Sequence, residues 1–274
     1  MTDRSSVATC HDGPVGILAG AEPFAADGQG SAGRVGVVVC HGFTGCPQSM
    51  RPWAEGLAAE GYTVRLPRLP GHGTTWQELQ ATRWPDWYGE VDRAYAELQG
   101  RCDTVFAVGL SMGGTLAFRL AEQHPDTIAG IVTVNAFLAS RDKRLVLLPV
   151  LKRLLPSLPA VGNDIKKTGV TELAYPRTPL KAVASLAEMQ KQVRADLRRI
   201  RCPVLAFHSV DDHIVDSSTS EVLARELGPT GRYTEVELHD SFHVATLDND
   251  FPAILSGSLD FVRTHAAAGT TSAS

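Results

Sequence analysis

The run Gly109-Leu110-Ser111-Met112-Gly113-Gly114 constrains the fold of this chain more tightly than any other stretch. Thr104-Val-Phe-Ala-Val108 leads into it and is rich in β-branched and apolar side chains, as a buried parallel strand requires. Met112 to His124 leads out with Leu116, Ala117, Leu120 and Ala121 at helical spacing, and Pro125 stops the helix. G-x-S-x-G between a strand and a helix is a turn so sharp that the serine stands proud of the sheet, its Oγ open for attack. The flanking glycines remove Cβ atoms where strand and helix crowd together, and they tolerate backbone angles that other residues avoid. The bare pattern is weak; the strand before it and the helix after it carry the assignment.

Apolar runs and helical patterns alternate on both sides of this turn. Arg34 to Cys40 reads as a central strand ending in His41-Gly-Phe-Thr-Gly45, and a helix follows Pro47 with Met50, Trp53, Leu57 and Ala58 inward, ending at Gly61. Tyr62 to Leu66 is the next strand, followed by the loop Pro67-Arg-Leu-Pro-Gly-His72-Gly73. Trp84 to Leu98 is an amphipathic helix, Cys102 to Val108 the strand before the turn, and Ile128 to Val134 another strand. Strands alternating with helices of this length predict an α/β fold, a mostly parallel sheet flanked by helices. The alternation fails between Asn135 and Thr178, which has no clear strand but holds Leu145-Val-Leu-Leu-Pro-Val-Leu-Lys-Arg-Leu-Leu-Pro-Ser-Leu-Pro159 and several breakers. Residues 136–178 are therefore expected to form a small inserted cap, with residues 1–135 and 179–274 making the core. Helices over Leu180 to Ile200, Ser217 to Leu227 and Phe251 to Thr264, and strands over Pro203 to His208 and Tyr233 to Leu238, complete that core. The tail from about residue 266 to 274 is small and polar and is expected to be disordered.

Composition agrees with this reading. A chain of 274 residues can bury a full core, and contents of 43% hydrophobic and 20% charged residues are those of a soluble globular protein. A net charge of −4 argues against nucleic acid as a partner. Five cysteines, Cys10, Cys40, Cys46, Cys102 and Cys202, are an odd number without a CxxC pair, which fits neither a disulfide scaffold nor a zinc site. Small buried hydrophobes in a reducing cytoplasm are the expectation. Residues 1–10 lack the apolar stretch of a signal peptide, and no later segment approaches a membrane span, so a cytoplasmic location is expected.

A serine hydroxyl is a poor nucleophile at neutral pH, so Ser111 needs a base within hydrogen-bond reach and a carboxylate to orient that base. In doubly wound sheets the functional groups gather at the carboxyl ends of the strands, which directs attention to the two late loops. Strand Pro203 to His208 runs into Ser209-Val-Asp211-Asp212-His213-Ile-Val215, and strand Tyr233 to Leu238 runs into His239-Asp-Ser-Phe-His243-Val-Ala-Thr-Leu-Asp248. The chain order serine, aspartate, histidine is that of the α/β-hydrolases. Asp211 and Asp212 both remain candidates for the acid; Asp212 is preferred because it is followed by x-Ile-Val, which resembles the Asp-x-[Ile/Val]-Val run of the α/β-hydrolases. His243 is preferred as the base, since His239 sits too near the strand end and His213 adjoins the acid. A developing oxyanion would need two backbone donors: the N–H of Met112, directly after the nucleophile, and one from His41-Gly-Phe-Thr-Gly45, with Phe43 the candidate. His41 is expected to brace that loop, and His72 to shape another loop at the rim of the site.

At this point the resemblance to a family becomes specific. His41-Gly-Phe-Thr-Gly45, Met50-Arg-Pro, Gly61-Tyr-Thr-Val, Leu66-Pro-Arg-Leu-Pro-Gly-His-Gly-Thr74, Gly109-Leu-Ser-Met-Gly-Gly-Thr115, Glu172-Leu-Ala-Tyr and His243-Val-Ala-Thr-Leu-Asp248 resemble the bacterial monoacylglycerol lipases and their carboxylesterase relatives. The match runs from about Gly16 to Thr264 and departs most in the cap, from Ala136 to Gly169. The resemblance implies an α/β-hydrolase fold with a small mobile cap and hydrolysis of monoacylglycerols with no metal or organic cofactor. It places nucleophile, acid and base on Ser111, Asp212 and His243 and the oxyanion amides on Phe43 and Met112, and it makes Glu172 a position able to reach a glycerol hydroxyl, the alternative being a simple surface acid. The rival readings are a carboxylesterase for other short- or medium-chain esters and a non-hydrolytic ligand receptor on the same fold. No stable protein partner is inferred.

Charge is unevenly spread. From Arg141 to Arg201 there are 14 Lys or Arg against 5 Asp or Glu, a net of +9, whereas the rest of the chain carries −13. Leu145 to Leu158 is also strongly apolar, and a segment both basic and apolar can rest transiently on an anionic lipid surface. The competing expectation is that these leucines line an acyl tunnel or pack on the core, while Lys191, Arg194 and Arg198 form a solvated helix face.

Overall fold

The computed structural model describes residues 16–142, 147–160 and 162–271. Cys10 and the last three residues of the expected disordered tail lie outside them. So do Lys143 to Val146, within the expected cap.

Valine-rich and alternating apolar runs build one seven-stranded sheet. Its strands are β1 (Phe24–Ala26), β2 (Val35–Cys40), β3 (Thr63–Leu66), β4 (Thr104–Leu110), β5 (Ile128–Val134), β8 (Val204–Ser209) and β9 (Tyr233–Leu238). They lie in the order β1-β3-β2-β4-β5-β8-β9. Every pairing is parallel except that of β1 on β3. The expected parallel sheet is thus observed, with an antiparallel edge strand too short to leave a periodic signal.

Alternate residues of each strand feed two apolar layers. On one face, Val38, Ala107 and Ile131 pack with Trp87, Val91 and Leu98 of α3 (Trp84–Gln99), Leu116 and Leu120 of α4 (Met112–Gln123), and Leu186 and Met189 of α6 (Leu180–Asp196). On the other, Val37, Val39, Phe106 and Val108 pack with Trp53 and Leu57 of α1 (Arg51–Ala59) and with Ile254 and Val262 of α8 (Phe251–Thr271). Burial on both faces explains why β2 and β4 read as continuous apolar runs rather than as alternating ones.

Between β5 and α6 the chain departs from expectation in one respect. It contains α5 (Leu148–Leu154) and also two strands, β6 (Ser157–Pro159) and β7 (Arg177–Pro179), which pair antiparallel only with each other. Three-residue strands that contain prolines present no alternation to read. The short helix α2 (Trp76–Ala81), capped by the Thr75 hydroxyl on Glu78 N–H, also went unforeseen, and α8 runs on to Thr271 rather than ending at Thr264. α7 (Ser218–Leu227) fills the remaining flank beside β9.

Candidate active site

The turn at Ser111 is built by close approach. A Cβ on Gly113 would lie 2.0 Å from the Cys40 carbonyl oxygen, and one on Gly109 would lie 2.3 Å from the Gly113 carbonyl carbon, so neither position admits a side chain. Ser111 itself sits at φ 54° and ψ −118°, a conformation that side chains rarely adopt, and it precedes the first residue of α4. Its own N–H donates to the Val134 carbonyl at 3.0 Å and its carbonyl accepts from Phe137 N–H at 3.2 Å, which ties the turn to the end of β5. Such strain persists only where surrounding contacts over-determine it.

The loop after β2 passes directly beside this turn. A Cβ on Gly42 would be 3.6 Å from the Ser111 Cβ. His41 is wholly buried; its Nδ1–H donates to the Gly42 carbonyl at 3.0 Å and its Nε2 accepts from Leu69 N–H at 3.1 Å. Burial holds its pKa down to about 4, so it stays neutral and braces two loops. His72 is equally buried, 5.0 Å from the His41 ring, which makes it an interior residue rather than one at a rim. The Phe43 ring meets His72 edge-on at 6.2 Å and Trp87 at a tilt at 5.8 Å between centroids. Among the described residues, the N–H groups of Phe43 and Met112 donate to no protein acceptor.

The two late loops bring Asp212 and His243 together. His243 Nδ1 lies 2.8 Å from Asp212 Oδ2, while Asp212 Oδ1 accepts from the N–H groups of Ile214 and Val215, each at 2.8 Å. Three bonds fix the carboxylate, whose side chain is 1% exposed. Burial favours its neutral form, but the His243 charge and these hydrogen bonds win, holding the Asp212 pKa below the usual carboxylate range. For His243 burial opposes charge, and the carboxylates of Asp212, Glu172 and Asp164 outweigh it, leaving its pKa above that of an ordinary histidine. Asp211 is exposed and faces Lys166 at 4.0 Å, and His239 is exposed beside Glu237, so neither joins this pair. His213 bonds not to Asp212 but to Asp164, at 2.8 Å.

Glu172 is brought in from the segment between β6 and β7. Its Oε1 would lie 2.6 Å from a Cβ on Gly45, so the carboxylate rests on the loop after β2. Burial raises its pKa, against the charge of His243 and the hydroxyl of Ser49.

Two positioning side chains escaped sequence reasoning. Asn135, at φ 46°, donates to the Ser209 hydroxyl at 2.9 Å and the His243 carbonyl at 2.8 Å, and accepts from Ser209 N–H at 2.7 Å. An Asn directly after the strand Ile128 to Val134, a residue type that tolerates positive φ, is the signal that could have found it. The other is Asp164, whose partners lie far away in the chain. Among the described residues no three His, Cys, Asp or Glu side chains converge as metal ligands do. Ser111 is strained but buried, at 7% exposure, rather than standing open as the turn predicts. A strained serine, an oriented imidazole and two amides without protein acceptors are the groups that acyl transfer uses.

Comparison with known proteins places the chain in a family. Residues 32–250 match the family described as serine aminopeptidase, S33, a span that contains Ser111, Asp212 and His243. The thermostable monoacylglycerol lipase of Bacillus sp. (strain H-257) is 44% identical over 257 residues, 91% of this chain and 97% of that protein. The carboxylesterase of Bacillus subtilis (strain 168) is 26% identical over 84% of this chain and 91% of that one. A solved structure from the metagenome-derived lipolytic pair LipS and LipT is 44% identical, with a TM-score of 0.86 covering 91% of this chain and 100% of its own. The chain belongs to the serine aminopeptidase S33 family of the α/β-hydrolase superfamily.

Proposed function

We propose that this protein is a serine hydrolase that cleaves monoacylglycerols to fatty acid and glycerol, with Ser111 as nucleophile, His243 as base and Asp212 as the acid that orients it. The reading rests on the 2.8 Å bond from Asp212 to His243 Nδ1, which leaves Nε2 as the nitrogen that serves Ser111. Ser111 Oγ attacks the ester carbonyl as His243 takes its proton, and the N–H groups of Phe43 and Met112 receive the oxyanion. His243 passes the proton to the departing glycerol oxygen, then activates the water that frees the fatty acid. The half-buried Glu172, resting on Gly45, accepts a hydrogen bond from a glycerol hydroxyl. Residues 136–178 act as a cap over the acyl chain, and their apolar, basic outer face rests on lipid.

Two observations favour the monoacylglycerol over a general ester: the 44% identity to a monoacylglycerol lipase across nearly both chains, and a carboxylate held beside the imidazole that would meet a hydroxylated head group. The test is hydrolysis of a long-chain monoacylglycerol beside its methyl ester and a diacylglycerol, with Ser111→Ala as the blank. The expected result is Ser111-dependent turnover fastest on the monoacylglycerol, and loss of that preference in Glu172→Gln. Equal rates on the methyl ester would instead make the protein a general carboxylesterase. Absence of turnover on all three would make it a non-hydrolytic receptor.

A further inference from the structure

The segment Asn163 to Lys167 crosses from the 136–178 region onto both late loops, and it does so through carboxylates and backbone rather than through apolar packing alone. Asp164 Oδ2 accepts from two main-chain N–H groups, that of His243 at 3.1 Å and that of His213 at 3.2 Å. Its Oδ1 lies 2.8 Å from His213 Nδ1, and its carbonyl accepts from Val244 N–H at 3.0 Å. The side chain is 14% exposed. A single residue thus grips the position after Asp212 and the position of His243 at once. The neighbouring contacts hold the strap in register: Asp248 accepts from the N–H groups of Lys166, Lys167 and Phe242, and Asn163 Oδ1 accepts from Glu172 N–H at 2.8 Å.

We propose that Asp164 is a positioning residue for the base: its carboxylate staples the loop bearing Asp212 to the loop bearing His243. Two backbone amides and an imidazole on one ionised carboxylate form a charge-assisted set, stronger and more directional than neutral hydrogen bonds. The Asp212–His243 bond joins two loop side chains; the second staple fixes the main chain beneath them. Asp164 also adds negative charge near the imidazole. The groups facing His243 are Asp212 from the loop after β8, and Glu172 and Asp164 from the segment before α6. The inference rests on the hydrolase reading above for its catalytic meaning, although the staple itself does not.

Two substitutions separate charge from geometry. Asp164→Asn keeps an oxygen for the two amides and loses the charge; Asp164→Ala loses both. The experiment combines steady-state kinetics on a soluble short-chain nitrophenyl ester with an NMR titration of the His243 imidazole in the whole chain. Asp164→Ala is expected to lower kcat by roughly tenfold or more with KM changed by less than about twofold, since misplacement of a base costs the chemical step rather than binding. Asp164→Asn is expected to restore most of kcat while its His243 titrates at lower pH than in the parent. A kcat within about twofold of the parent in Asp164→Ala, or a His243 titration unmoved in Asp164→Asn, would overturn the proposal. The titration reads the charge that Asp164 holds beside His243 with or without ester turnover, so its failure is distinct from failure of the hydrolase reading, which shows as absent turnover in the parent.

Discussion

At the scale of single residues, the chemistry depends on where His243 titrates. In the role we propose for it, His243 takes the Ser111 proton only when neutral, and its neighbours hold its pKa above the ordinary value of about 6.5. The sign follows: activity falls as pH drops through this raised value, so the acid limb of kcat/KM is expected above that of a free histidine. Asp212→Asn removes the carboxylate and the charge-assisted bond, and with them the correct tautomer. It is expected to lower kcat by about 10³–10⁴-fold while leaving KM largely intact, as measured by initial rates across pH 5 to 9. An acid limb at or below the ordinary value in the parent would mean that desolvation, not the three carboxylates, governs the imidazole. The loops that bring Asp212 to His243 were legible in the sequence because each follows a recognisable strand, while the choice of Asp212 over Asp211 needed the resemblance carried by x-Ile-Val. Asp164 was illegible for the opposite reason: its partners lie 49 and 79 residues away, and nothing in its neighbourhood, Gly-Asn-Asp-Ile, signals them.

At the scale of elements, the decisive contact is between β2, β4 and α4. Strand and helix touch at Gly109 and Gly113, and the end of β2 presses the same point through the Cys40 carbonyl. Because that contact involves backbone on both sides, no rotamer change can relieve an added methyl group. Gly113→Ala is expected to cost ~2 kcal/mol or more of stability and to displace Ser111, abolishing turnover. Gly228→Ala is the matched control, since a Cβ there meets nothing within 4 Å and the residue is already at φ −51°. It should leave stability unchanged or slightly raised, as measured by thermal or urea unfolding. The same reasoning explains which elements were legible. β2, β4 and β5 are read from sequence because burial on both faces demands long apolar runs. β1, β6 and β7 are three residues each and take their extended shape from a partner strand, a cause that lies outside their own residues.

At the scale of the molecule, charge and apolar exposure coincide. The stretch from Arg141 to Arg201 carries +9 against −13 for the rest, so the protein has a strong electrical asymmetry despite its small net charge. Within that stretch Leu147, Val150, Leu154, Leu155 and Leu158 are exposed, with relative accessibilities from 39% to 72%. Lys152 and Arg153 lie among them on α5, and Arg153 is exposed. Five apolar side chains of this run point outward while Leu148 is buried and Leu151 half-buried, so the run divides between the two expectations. No helix among the described residues is long and apolar enough to cross a membrane, so the contact we propose is peripheral. Anionic lipid supplies a negative surface on which each nearby basic residue contributes about 1 kcal/mol, and the leucines add apolar burial that salt does not screen. The two contributions separate experimentally. Lys152→Glu with Arg153→Glu is expected to weaken co-sedimentation with phosphatidylserine-containing vesicles by ~10-fold or more, while turnover of a soluble short-chain ester stays unchanged. Leu154→Ser is expected to weaken binding to anionic and zwitterionic vesicles alike, because it removes burial rather than charge. Vesicle binding indifferent to all three substitutions would place the basic, apolar face elsewhere in the protein's work, with substrate reaching Ser111 from solution.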